Sequence, residues 1–160
     1  KLLGNAWYWA WRNPDQQARV LTKKVSTDTV TAWVEETLRY DTSTQMLARL
    51  VTTDTEMHGV TIPAGERALL LVGSANRDPR VFDDPDVFRV DRSPNPHLGF
   101  GIGTHYCMGA NLAKAEIRVV FEELFSRLPD IRVPDGVIPA RGDSALVLAI
   151  NSLPAIFTPA

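Results

Sequence analysis

The chain has 160 residues, 44% hydrophobic and 22% charged, with a formal net charge of -2, the composition of one globular unit that can bury a core. The slight acidic balance argues against an electrostatic nucleic-acid partner, which would need a basic surplus, and a single cysteine rules out an intrachain disulfide. The apolar stretch over 2–11 is broken by Gly4 and Asn5 and falls short of the roughly 20 apolar residues a membrane helix needs, so no membrane partner is expected.

Lys1 follows no cap or turn and starts no tripartite signal sequence, so the chain is expected to begin inside a helix and to be the C-terminal part of something longer. Trp7 and Trp11 stand four apart on that helix and are expected to face a core. Asn13-Pro14-Asp15 ends it, because proline disfavours helical geometry in the preceding residue, and a short second helix is expected to reach about Lys23. Ser26-Thr27-Asp28 is an N-cap cluster before Val30, Trp33, Val34 and Leu38 at helical spacing. On that third helix Glu36 and Arg39 share a face. Taken alone, the pair reads as a solvated surface bridge, with Glu35 competing for Arg39.

From 48 to 72 the pattern becomes strand-like. Residues 50–53 and 67–72 are expected to be strands, His58-Gly59 marks a reversal, and Val60-Thr61-Ile62 runs into Pro63-Ala64-Gly65, a type II turn sequence. A small antiparallel sheet follows. After Gly73 the chain is rich in loop formers as far as Pro96, and a long irregular stretch is usually functional or an ordered meander. The next helix is expected over 110–128, with Leu112, Ala113, Ile117, Val120, Phe121, Leu124 and Leu128 as its apolar positions. Short strands over 145–150 and 155–157 flank an Asn151-Ser152-Leu153-Pro154 turn.

Cys107 is the one soft-metal ligand, in Phe100-Gly101-Ile102-Gly103-Thr104-His105-Tyr106-Cys107-Met108-Gly109. This glycine-rich approach leads into a helix, and a thiol near a helix N-terminus meets the positive end of the dipole and free amides, which favour thiolate. Out of this setting, a lone cysteine is a buried inert thiol. His58 sits in a turn and is expected in solvent, while His97, three before Phe100, either approaches a bound group or caps backbone.

The Phe-x-x-Gly-x-His-x-Cys-x-Gly pattern, preceded by Glu36-Thr37-Leu38-Arg39 on a helix and by Phe88-Arg89-Val90-Asp91-Arg92 in the meander, resembles the cytochrome P-450 family, the haem-thiolate monooxygenases, above all the soluble bacterial members. The resemblance covers essentially the whole chain. It implies a mainly α fold with small antiparallel β-sheets, the C-terminal part of that family's fold, with 1–160 as one portion of a single haem-binding domain and a cytoplasmic location.

The same resemblance implies haem b as cofactor and Cys107 as the axial iron ligand. Phe100 would pack beside the sulfur, Gly101, Gly103 and Gly109 would let backbone approach the porphyrin, and His105 and Arg49 would bind propionates. Glu36, Arg39 and Arg92 match a buried structural network. Thr44, Gln45, Met46 and Leu47, with Ala145, Leu146, Val147 and Leu148, match segments lining the substrate pocket, or are plain strand residues. Gly99 and Met108 depart from the family's commoner alanine and leucine.

The implied partners are a small organic substrate, dioxygen, and a ferredoxin or flavoprotein docking on the cysteine-loop face. The family's oxygen-activating helix would lie ahead of Lys1, so no catalytic residue is expected within the chain; residues 1–10 look like that helix's tail. Alone, the chain is expected to bind haem weakly or not at all and to hydroxylate nothing. The alternatives are a non-catalytic remnant, or a haem-free site, either a reactive thiol or zinc held by Cys107, His105 and His97, although zinc normally takes four ligands.

Overall fold

A computed structural model describes residues 1–20 and 26–158. Its centre is helix α3 (Thr27–Tyr40), which packs against α1 (Leu2–Arg12) on one side and α5 (Ala110–Arg127) on another. Local sequence explains where α3 starts. The Ser26 hydroxyl accepts the Thr29 N–H at 3.3 Å, and such a cap satisfies one of the amide donors a helix start leaves over. Val30, Trp33, Val34 and Leu38 are buried, as their spacing predicts. At its C-terminal end the helix is pinned to α1: Trp9 Nε1 donates to the Asp41 carboxylate at 2.7 Å and Asn5 Nδ2 to the Asp41 carbonyl at 3.1 Å.

Aromatic rings join the three helices. Trp33 meets Phe121 at 4.4 Å and Phe125 at 5.8 Å between ring centroids, and Trp7 reaches Phe125 at 5.7 Å. Trp7 is in the core as expected, whereas Trp11 is only partly buried at its edge. On α5, Ile117 and Phe121 are buried, but Leu112 and Val120 are exposed. Helical spacing places residues on a stripe without saying how much of the stripe a neighbour covers. Helix α2 (Pro14–Val20) begins at the proline that ends α1, since a first-turn proline loses no helical hydrogen bond. The expectation that it reaches Lys23 lies outside the described residues.

Strands β1 (Leu47–Leu50) and β4 (Arg67–Leu70) form one antiparallel ladder and β2 (Thr55–Met57) and β3 (Val60–Ile62) another. The single small sheet is therefore two separate ribbons, and 51–53 lie outside the strands. The Glu66 N–H donates to the Pro63 carbonyl at 3.3 Å, closing the expected turn, and Met57 pairs with Val60 around His58-Gly59. Val72 does not extend β4 but opens the short helix α4 (Val72–Ala75). The Asn151-Ser152 turn is also corrected, because β6 (Ile150–Ser152) pairs with β5 (Ala140–Arg141). Turn-forming residues there are overridden by a partner strand, as strand preference depends on context.

Between α4 and α5 the chain meanders with one 3-10 turn at Gly103–His105. Buried carbonyls need donors, and in the absence of a ladder two arginines supply many of them. Arg39 donates to the carbonyls of Asn76 (3.0 Å), Pro85 (2.8 Å) and Val87 (3.1 Å), and Arg92 to those of Asp83 (2.6 Å), Asp84 (3.2 Å) and Val87 (3.2 Å). No helix among the described residues is long and apolar enough to cross a membrane.

Candidate prosthetic-group site

The cysteine loop is built from its own backbone. The Cys107 N–H donates to the Phe100 carbonyl at 2.9 Å, Gly101 N–H to Leu98 at 2.9 Å and Tyr106 N–H to Gly103 at 3.1 Å, while the Cys107 carbonyl accepts from Ala110 at 3.1 Å as α5 begins. Gly101 (φ 73°) and Gly103 (φ 65°) lie in the left-handed region. A Cβ at Gly101 would stand 3.3 Å from the His105 carbonyl, whereas the space beside Gly103 is open. The loop thus requires glycine where it folds on itself. Cys107 is exposed, which corrects the buried-thiol reading of the residue taken alone.

The thiol stands in the wall of a cavity of about 290 Å³ shared with Leu38, Thr44, Leu47, Phe100 and His105. A second chamber of about 400 Å³ adjoins it, sharing Leu47, Val72, Leu98, Gly101 and His105 and adding Arg49 and Ile102. The result is a largely apolar slot with the thiol in one chamber, the Arg49 guanidinium in the other and the His105 imidazole in the wall of both. Among the described residues the Arg49 guanidinium, on β1, makes one hydrogen bond to protein, Nη1 to the Ala48 carbonyl at 3.2 Å. Of the segments expected to line a substrate pocket, Thr44 and Leu47 reach this slot. Gln45 and Val147 instead take part in strand-like pairing: Thr44 bridges Val147, the Gln45 N–H donates to Leu146 at 2.9 Å and the Leu148 N–H to Ser43 at 2.8 Å. Met46 and Ala145 do not line it.

Glu36, Arg39 and Arg92 come together, and their pairing is no surface bridge. Glu36 and Arg39 have no exposed surface and Arg92 is buried. Arg39 Nη2 and Nε reach the two Glu36 oxygens at 2.7 and 2.8 Å, a bidentate pair, and Arg92 Nε stands 3.3 Å from Oε2. The same carboxylate accepts the Arg89 N–H at 2.8 Å and Asn95 Nδ2 at 3.2 Å. One carboxylate from α3 therefore holds the meander in place.

Glu35 does not compete for Arg39. It meets His97 Nε2 at 2.9 Å and Lys114 Nζ at 2.8 Å. Burial pushes its carboxyl up, but the hydrogen bonds from His97 and Lys114 outweigh burial and hold it below the usual value. His97 is the backbone-capping histidine, its Nδ1 accepting the Gly99 N–H at 3.1 Å, and it does not line the slot. Glu35 and Lys114 are 79 positions apart in sequence, and no local pattern joins them. Asn76 lies in the stretch of loop formers after Gly73, and nothing local marks it; its buried amide accepts the Leu98 N–H at 2.7 Å and donates to the Leu38 carbonyl at 3.3 Å.

The described residues contain no group of three or more His, Cys, Asp or Glu side chains able to hold a metal ion. A single thiol lining an apolar slot, with an imidazole in the shared wall and a guanidinium in the adjoining chamber, is chemically suited to an apolar group that carries an anion and a metal with its other ligands already in place. Comparisons with known proteins agree with that class. Residues 26–151 match the family described as Cytochrome P450, and the chain belongs to it.

Cytochrome P450 123 of Mycobacterium tuberculosis is 52% identical over 136 residues, 84% of this chain and 33% of that protein. The biotin biosynthesis cytochrome P450 of Bacillus subtilis is 42% identical over 84% of this chain and 33% of its own length. Among solved structures, P450BioI in complex with an acyl carrier protein ligated to hexadec-9Z-enoic acid superimposes with a TM-score of 0.91 at 38% identity, over 98% of this chain and 40% of that one. The chain thus spans about a third of the length of the curated relatives it matches.

Proposed function

We propose that this chain forms the thiolate-bearing side of a haem pocket in a cytochrome P450 monooxygenase of the bacterial type. The observation that carries the reading is the exposed Cys107 thiol in a backbone-closed loop at the head of α5, opening on an apolar slot that also holds Arg49 and His105. Cys107 would be the iron ligand, and Arg49 and His105 would hold the propionates, guanidinium suiting a carboxylate. Bound there and held by the Cys107 thiolate, haem would supply the chemistry of dioxygen activation and of inserting one oxygen atom into an organic substrate.

The remaining roles belong to the chain's own side chains. Phe100, lining the slot beside the thiol, would shield the sulfur from water once a group covers the slot, and Leu38, Leu47 and the Thr44 side chain present the surface a porphyrin or small substrate would cover. The Glu36-Arg39-Arg92 network holds the meander and so fixes the entry to the cysteine loop. Fully exposed Met108 and exposed Leu112 mark the face on which a ferredoxin or flavoprotein would dock, in the cytoplasm.

Several apolar side chains beside the slot are open to solvent, Ile102 at 69% and Leu71 at 52%. With about a third of the relatives' length in hand, we infer that the 160-residue chain alone holds haem weakly and does not turn over substrate. The test is the reduced, carbon-monoxide-bound spectrum of the chain at high haem concentration, for wild type and Cys107→Ser. Any haem taken up is expected to show a thiolate-type band that the substitution abolishes; a spectrum indifferent to the substitution overturns the reading.

A further inference from the structure

Helix α3 carries two adjacent carboxylates. Glu36 is taken up by the arginine network, while Glu35 serves a separate group of three side chains from three parts of the fold. His97, in the segment before the cysteine loop, has a side chain only 6% exposed, with Nε2 at 2.9 Å from Glu35 Oε2. Its Nδ1 accepts the Gly99 N–H at 3.1 Å, so the ring proton belongs on Nε2, directed at Glu35. Lys114, one turn into α5, places Nζ 2.8 Å from Glu35 Oε1 and 5.6 Å from the centre of the Phe100 ring, within the range of a cation–π contact.

Both branches converge on Phe100. One runs from Glu35 through His97 to the Gly99 amide, the residue before Phe100; the other runs through Lys114 to the Phe100 ring. The Phe100 carbonyl in turn accepts the Cys107 N–H at 2.9 Å. Gly99 itself lies against α3, where a Cβ would come within 2.9 Å of the Leu38 carbonyl, so the strut acts where the loop already touches the helix.

We propose that Glu35, His97 and Lys114 are positioning residues for the cysteine loop: a charged strut between α3 and α5 that sets Phe100, and through its carbonyl Cys107, independently of the Glu36 network. Its consequence for a haem ligand rests on the function proposed above, but the placement of the loop does not, and the two are tested separately.

Cys107 is the only cysteine, so its alkylation rate reports the loop without haem. In the full 160-residue chain, amide hydrogen exchange at Gly99 and Cys107 and alkylation of Cys107 are compared for wild type, His97→Phe, Lys114→Met, Lys114→Arg and Arg127→Met. The last removes an exposed ion pair with Glu123 on the same helix. Loss of the strut is expected to raise exchange at both amides about tenfold and to change the alkylation rate in His97→Phe and Lys114→Met, because local opening becomes easier. Lys114→Arg, which keeps the cation, and Arg127→Met are expected to match wild type.

Exchange within about twofold of wild type in Lys114→Met, or Lys114→Arg behaving like Lys114→Met, overturns the proposal. Should His97→Phe not fold, the two Lys114 variants and Glu35→Gln decide, with Glu35→Gln expected to follow Lys114→Met and a wild-type result there counting against the strut. None of these readings involves haem, whereas the Cys107→Ser spectrum fails or succeeds on the haem reading alone.

Discussion

Glu36 shows how far burial changes the meaning of a single side chain. An exposed carboxylate three residues from an arginine contributes less than about 1 kcal/mol, but Glu36 has no exposed surface and accepts from Arg39, Arg92, Asn95 and the Arg89 amide. Removing one member leaves charge and carbonyls without partners in a dry site. Arg92→Ala is therefore expected to lower stability by about 3 to 5 kcal/mol in urea unfolding. Arg127→Ala, which breaks the exposed pair with Glu123, is expected to cost less than about 1 kcal/mol. Equal losses in the two variants would mean that the network is solvated. The Glu-x-x-Arg spacing taken alone reads as a surface bridge, and the family resemblance alone implies its burial, because meander residues some 50 positions downstream provide it.

Among the elements, α3 follows most directly from local chemistry: an N-cap serine, then apolar residues at helical spacing. Ser26→Ala is expected to destabilise the fold by about 1 kcal/mol, read as a lower urea midpoint with an unchanged slope, since the substitution removes one capping acceptor and no packing. A change in slope would point instead to altered compactness. β6 behaves in the opposite way. Asn151 and Ser152 are turn formers, yet both lie in β6, where Ser152 pairs with Ala140 and Ile150 with Arg141 across a register shift, and α4 begins where β-branched Val72 favours continued strand. Short elements carry little intrinsic preference, so partners decide them.

At the scale of the whole molecule, acid stability should report the coupling between α3, the cysteine-loop approach and α5. The Glu35 carboxyl is held below its ordinary value of 4.5, so the folded state binds its proton less readily than the unfolded chain does. The resulting stabilisation is fully present above about pH 4.5 and is lost as pH falls through the folded-state value. The stability difference between wild type and Glu35→Gln, measured by urea unfolding from pH 7 to pH 3, is expected to shrink across the acid end of that range. A difference that stays constant or grows on acidification would contradict the assigned contacts with His97 and Lys114.

The long helices, the meander and the motif around Cys107 are legible along the chain, because caps, periodicity and glycine spacing are local or fixed-interval signals, and the arginine network follows from the resemblance that motif carries. The folded arrangement was needed to show that Glu35 turns to His97 and Lys114 and which meander groups keep Glu36 from water. It also decided that Thr44, Leu47, Arg49 and His105 share one slot with the thiol, while Ala145, Leu146, Val147 and Leu148 do not line it. Those outcomes depend on which distant segments exclude water from a side chain, and hydrogen-bond partners tens of residues apart leave no periodic trace along the chain.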